Sequence, residues 1–250
     1  MRARSWGWLF ALTLSLLSAQ SAMAAKESEE LTTVKRLAAL MGQGRKIVTA
    51  WQGTINDPSK GDKGFTAEQF YKELSAAVKE SDIIDLDKTA KKKDTVSTAT
   101  TAMVEAMKTV IGEAQPIINK QGMGFKGFLP AVFARKTFEA FNEKSNVKGK
   151  LTAAVFRNAK NAPDEWEKEA LKNFLDRAKD DPKREAPIFK VVKEDGGEVL
   201  RFIKPEFYKG KCLDCHGNPK GERDISGGIK EGFEEGAAGA GLSFKVPVKK

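Results

Sequence analysis

Near its C-terminal end the chain reads Lys211-Cys212-Leu213-Asp214-Cys215-His216-Gly217, and these are its only two cysteines and its only histidine. Cysteines three apart on a helical turn present both sulfurs on one side. There they can form thioethers with the two vinyl-derived carbons of one porphyrin, and the next residue projects an imidazole nitrogen at the iron. The spacing therefore predicts one covalent haem c, with Cys212 and Cys215 as thioether donors and His216 as the proximal iron ligand. Three other uses of the same residues stay open. A zinc site needs four donors, and the Cys and His of this chain supply three, awkwardly adjacent. A dithiol oxidoreductase would place its Cys-x-x-Cys after a strand of a βαβ unit, whereas Pro205 and Gly210 come before it here. A plain local disulfide is the third.

The surrounding composition is that of a globular protein: 250 residues, 40% hydrophobic, 31% charged, formal net charge +9. That length can bury a core without disulfides. The lysines are interleaved with Glu and Asp and form no Arg-rich block, which reads as a solvated surface and gives no sign of nucleic-acid binding. Arg2 and Arg4, the apolar stretch Trp6 to Leu17 and the small residues of Ala22-Met23-Ala24 read as a secretory signal peptide over residues 1–24, cleaved after Ala24 or Ala25. An uncleaved anchor is the alternative, because residues 5–25 carry no charge. Cleavage lowers the net charge to +7, and the expected location is the periplasm, where haem c is attached.

The remaining 25–250 read as one domain whose helical part extends to about residue 145. Leu31, Val34, Leu37, Ala38, Met41, Val48 and Trp51 recur at helical spacing, predicting a long first helix weakened at Gly42 and Gly44. Thr66 and Gln69 have capping-box spacing for a helix to about Glu80. Residues 90–100 are a loop or a solvated helix start. A helix over Thr101 to Ile111 should kink or end at Pro116, and another starts at Pro130. In the second half, Leu151 to Phe156 reads as a strand. Asn161 can cap a helix with Pro163 and Asp164 in its first turn and Trp166, Leu171, Phe174 and Leu175 on one side. Ile188 to Val192 and Val199 to Ile203 are strands of a hairpin around Asp195-Gly196-Gly197, and Leu242 to Val248 is a last strand. The fold class is α+β, helices first and then an antiparallel sheet framing the cysteine segment. No internal repeat stands out.

Several segments carry a resemblance. Asn158, Asn161, Pro163, Asp164, Trp166 and Glu167 form one block; Val199 to Pro205 leads into Cys212-Leu213-x-Cys215-His216-Gly217-x-Pro219; Glu231-Gly232, Gly239 and Leu242-Ser243 precede the closing strand; and Gly127 to Phe133 lies upstream. Together they resemble exported monohaem c-type proteins with a PAS-like haem-binding domain, stand-alone relatives of periplasmic haem sensor domains. The resemblance implies a PAS-like antiparallel sheet that holds the haem. It also implies a long N-terminal helix that contributes to the distal side or to a homodimer. Arg157 or Arg201 could pair with a haem propionate, since a guanidinium matches a carboxylate.

His216 supplies one axial bond, and no second histidine exists to supply the other. With both thiols in thioethers, the sixth position falls to Met, Lys, Tyr, water or nothing. Met41 is the first candidate, on the apolar stripe of the helix that the resemblance puts distally. Met123, in a Gly-flanked loop, is the second, while Met103 and Met107 read as core packing. A Met/His pair raises the potential and closes the iron; water or vacancy leaves it open to nitric oxide, carbon monoxide or oxygen. The expected function is redox or small-ligand sensing through a redox or signalling partner protein. A soluble electron-transfer cytochrome is the alternative, and a peroxidase is a minor one, lacking a distal histidine as its acid–base group.

Overall fold

The computed structural model describes residues 27–177, 179–194 and 196–248. The signal-peptide reading of residues 1–24 and the hairpin's Asp195 lie outside them. Among the described residues no helix is long and apolar enough to cross a membrane.

The helical part contains α1 (Glu29–Ala50), α2 (Gln52–Ile55), α3 (Ala67–Glu80), α4 (Leu86–Thr89), α5 (Thr95–Glu113), α6 (Gln115–Ile118) and α7 (Pro130–Lys144). Ser28, Thr66, Asp85 and Asp94 cap α1, α3, α4 and α5, each accepting from a backbone N–H of the first turn. The expected weakening of α1 does not occur. Gly44 is buried, and a Cβ there would come within 3.2–3.3 Å of Phe133, Met107 and Phe70, so the glycine admits close helix contact instead of breaking the helix. Pro116 falls in the first turn of α6, after α5 has ended.

An internal repeat, which the sequence reading did not find, organises this bundle. Gln52-x-x-Ile55-Asn56 and Lys63-Gly64-Phe65 recur 63 positions on as Gln115-x-x-Ile118-Asn119 and Lys126-Gly127-Phe128. The bonds recur too, and they cross between the units. Gln52 Nε2 donates to the Phe128 carbonyl and Gln115 Nε2 to the Phe65 carbonyl, both at 2.9 Å. Asn56 Oδ1 accepts from the Lys126 backbone N–H (2.8 Å) and Asn119 Oδ1 from that of Lys63 (3.0 Å). Each lysine is buried and donates its ammonium to two carbonyls of its own loop, Asp57 and Lys60 in one case, Lys120 and Met123 in the other. Gly64 and Gly127 both take positive φ, +66° and +68°. Val48 and Ile111, Ile55 and Ile118, Phe65 and Phe128, Phe70 and Phe133 are matching buried pairs. The four long helices thus form two interlocked units, α1–α3 and α5–α7. Helical periodicity marks each apolar stripe by itself and does not align the two, which is why periodicity alone missed the repeat.

The second half forms one antiparallel sheet of β1 (Lys148–Thr152), β2 (Ile188–Glu194), β3 (Gly197–Phe207) and β4 (Ala238–Pro247), in the order β1-β4-β3-β2. β1 ends earlier than expected because Thr152 Oγ1 and the Ala153 N–H turn to the Asn161 carbonyl, leaving Val155 and Phe156 off the sheet. With side chains alternating between faces, Leu200, Phe202, Leu242, Phe244 and Val246 join the bundle core. Ile203 packs on the other face against Ala170, Leu171 and Phe174 of α8 (Glu165–Asp176). Asp164, not Asn161, caps α8: its side chain accepts from Glu167, whose carboxylate accepts from the Asp164 N–H. Asn158 caps a short 3₁₀ turn, Ala159–Asn161. The fold is α+β with an antiparallel sheet, as expected, and the sheet lies between the bundle and α8.

Asn56→Ala and Asn119→Ala should cost nearly the same stability, about 1–3 kcal/mol each, since each strands one equivalent buried N–H. Denaturant melts of both variants check this; a large loss in one and none in the other contradicts the equivalence of the two loops.

Candidate functional site

β3 and β4 are joined by a long excursion over residues 208–237, and its base is clasped by Tyr208: the Tyr208 N–H donates to the Ala237 carbonyl (2.9 Å) and the Gly236 N–H to that of Tyr208 (2.8 Å). Helix α9 (Gly210–His216) opens the excursion. Its first turn lacks a cap from Lys209, and Glu235 instead accepts from the Gly210 N–H at 3.1 Å. This short helix puts Cys212, Cys215 and His216 together, as their spacing predicts. Both cysteines are free, half-buried thiols. Burial raises the Cys215 thiol above the usual range, with Asp224 adding to the effect and Arg157 opposing it.

The imidazole of His216 is held on two sides. Its ring lies 5.0 Å from that of Tyr208, which in turn lies 4.7 Å from Phe233. Tyr208 can sit there because residue 239 is glycine: a Cβ at Gly239 would fall 2.1 Å from the tyrosine ring. Burial, followed by the nearby Glu231 charge, pushes the Tyr208 hydroxyl well above its ordinary value. On the other side, His216 Nδ1 is 2.8 Å from Glu231 Oε2, and the Phe233 N–H donates to the His216 carbonyl at 2.9 Å. With Nδ1 engaged, Nε2 is the nitrogen left for a ligand or metal.

Arg157, arriving from the β1–α8 connection, ties these pieces into one body. Its Nε and Nη2 donate to the Glu231 carboxylate at 2.9 and 3.2 Å. Nη2 also donates to the carbonyls of Cys215 (2.7 Å) and Ile229 (3.0 Å), and Nη1 pairs with Asp224. Burial works against the charge on Glu231, but hydrogen bonds from Arg157 and His216 outweigh it and hold the carboxyl below its ordinary value. Asp224, wholly buried at its side chain, goes further. Desolvation opposes ionisation, yet Ser226 and Arg157 bring its pKa from 3.8 to about 2. Around this clamp several apolar side chains face outward: Phe156 at 45% exposure, Val155, Ile229, and Ile225 at 69%. They flank Arg157 and Asp224 in the chain, and Arg157 reaches the Cys215 carbonyl, so exposed apolar side chains adjoin the clamp that holds the cysteine segment.

Both arginines singled out from the sequence are accounted for by protein carboxylates. Arg201 is buried on the α8 face of the sheet, pairing with Asp164 (2.7 Å) and Glu194 (2.9 Å) and lying 4.7 Å over the Trp166 ring. Met41 is fully buried in the bundle core, the setting in which a thioether serves as packing. Met123 is half-buried in the second repeat loop, its carbonyl bound to the Lys126 ammonium. The near neighbours of the His216 ring are Tyr208 and Glu231, and neither methionine is among them. The sequence reading missed the roles of Glu231, Asp224 and Tyr208. Glu231 stands out in the sequence only through the resemblance, and no local spacing joins it to His216 or to Arg157.

A family model described as Tll0287-like matches residues 76–247, which takes in the second helical unit and the whole sheet. No curated protein sequence matches the chain. Among solved structures, "Crystal structure of the cyanobacterial heme-protein Tll0287" aligns with a TM-score of 0.40 and 18% identity, over 60% of this chain and 92% of that one.

The sign of the Asp224 shift fixes a pH dependence. A carboxylate depressed in the folded state contributes stability that is complete above about pH 4 and is lost as pH falls through about 2, here on the order of 2 kcal/mol. Acid titration followed by melting should show this loss in the parent, and Asp224→Asn should flatten it; equal acid sensitivity in both would contradict the assignment.

Proposed function

The chain belongs to the Tll0287-like family, and on that premise we propose that it is an exported c-type haem protein that senses redox state or a small ligand and passes the signal to a partner protein. One observation carries the reading. The only histidine follows directly on two thiols in one helical turn, with Nδ1 already bound to Glu231 and Nε2 left over. The family's namesake is described as a cyanobacterial haem protein, which supports the same cofactor class here.

The residues present fit such a group. Cys212 and Cys215 are free thiols that would hold the group through two thioether bonds. His216 offers a nitrogen donor of fixed ring orientation. Val155, Phe156, Ile225 and Ile229 offer apolar surface for a porphyrin face to cover. When bound, haem would supply an iron that changes oxidation state or takes up a diatomic ligand. The protein's part is to orient the imidazole through Tyr208 and Glu231, and to hold the cysteine turn against Arg157. Export suits this chemistry, because covalent haem attachment takes place outside the cytoplasm.

Acid–acetone extraction tests attachment in protein matured in a cytochrome-competent host. Haem should stay with the parent polypeptide and move to the organic phase, or be absent, in the Cys212→Ala/Cys215→Ala double variant; extractable haem in the parent contradicts covalent binding. Reduced spectra with and without carbon monoxide then test sensing. Rapid carbon monoxide binding is expected, and a spectrum unmoved by the gas would favour electron transfer. Met41→Ala should lower stability by about 2–5 kcal/mol, as a core truncation does, and leave the spectrum unchanged. A spectral change in that variant would make Met41 the distal ligand.

A further inference from the structure

We propose that Glu231 is the positioning residue of the site: shared between Arg157 and His216, it fixes the imidazole tautomer with its proton on Nδ1 and strengthens Nε2 as a donor to iron. This rests on the haem reading above.

Neutral histidine carries one proton on one of two ring nitrogens, and the nitrogen that binds a metal must be the other one. A hydrogen bond at the far nitrogen therefore decides which atom is free, and an ionised acceptor there raises the basicity of the ligating nitrogen. In this structure the far-side acceptor is a carboxylate, 2.8 Å from Nδ1. Two features keep that carboxylate ionised and in place. Its other oxygen accepts from Arg157 Nε at 2.9 Å, and Arg157 Nη2 lies 3.2 Å from the same oxygen that meets the imidazole. The guanidinium is itself anchored by buried Asp224 and by the carbonyls of Cys215 and Ile229. The imidazole thus sits at the end of a chain of charge, Asp224 to Arg157 to Glu231 to His216, contributed by two separate stretches of the polypeptide.

Arg157 also moderates the effect. Because Glu231 Oε2 is shared, its negative charge is divided between guanidinium and imidazole. The result is a proximal ligand stronger than a histidine bonded to a neutral carbonyl and weaker than one facing an unpaired carboxylate. A stronger donor favours ferric iron, so the arrangement should lower the reduction potential relative to a site without Glu231.

Two variants separate hydrogen bonding from charge. Glu231→Asp keeps the charge and is too short to reach Nδ1, and Glu231→Gln keeps the length and loses the charge. Full-length protein carrying each should be examined by redox titration and, in haem-free form, by nitrogen-15 NMR at a pH where the imidazole is neutral. With one histidine in the chain, the imidazole signals need no assignment. The parent should show the Nδ1–H tautomer, and Glu231→Asp should show a mixture. In haem-loaded protein both variants should have a higher midpoint potential than the parent, Glu231→Asp through loss of the hydrogen bond and Glu231→Gln through loss of the charge. An unchanged tautomer with an unchanged potential in Glu231→Asp overturns the inference, as does a potential shift confined to Glu231→Gln. A parent that holds no haem but keeps the Nδ1–H tautomer would sink the haem reading while leaving the positioning of His216 by Glu231 standing.

Discussion

One guanidinium holds the functional end of this protein together. Arg157 reaches Asp224, Glu231 and the carbonyls of Cys215 and Ile229, so a single side chain ties the cysteine turn to the far limb of the 208–237 excursion. Five donors in a planar fork make this geometry available to arginine and not to lysine. Without it, buried Asp224 would be an uncompensated charge, a loss on the order of 3–5 kcal/mol concentrated in a segment with few apolar contacts of its own. A surface loop without strands or a core needs such a polar knot to present three reactive side chains in fixed relation.

The rest of the fold serves as the mount for that knot. The sheet supplies the two strands from which the excursion springs, and its bundle face buries Leu200, Phe202, Leu242 and Phe244. Arg201 secures the opposite face through Asp164 and Glu194, and Arg45 of α1 pairs with Glu206 close to where β3 hands over to Tyr208. The bundle is stiffened by its own internal symmetry. Two loops exchange equivalent hydrogen bonds, and each encloses a buried lysine whose ammonium satisfies carbonyls that water would otherwise solvate. The family match begins within α3 and takes in the second helical unit and the sheet, and the first unit packs against them.

What the sequence made legible was whatever depends on near neighbours. Cys212, Cys215 and His216 are grouped by spacing alone, the cap Thr66 sits one residue ahead of its helix, and strand alternation places the sheet. Long-range partnerships left no such trace. Arg157 and Glu231 are separated by 74 positions, and any of several acids could have met that arginine before the fold was known. The strand boundary at Thr152 moved because Asn161, nine residues on, offers a carbonyl that competes with the ladder. Gly42 and Gly44 read as helix breakers by propensity, yet tertiary contact with Phe70 and Phe133 turns Gly44 into a packing device. The repeat leaves little local trace because the bonds of its glutamines and asparagines cross to the other copy, 63 positions away.

A porphyrin bonded at Cys212 and Cys215 would add its own mass to the chain. Intact-mass spectrometry of the mature protein, purified from a host that assembles c-type cytochromes, tests this attachment most directly. The account predicts a mass equal to the processed polypeptide plus one haem; a mass equal to the polypeptide alone would contradict it.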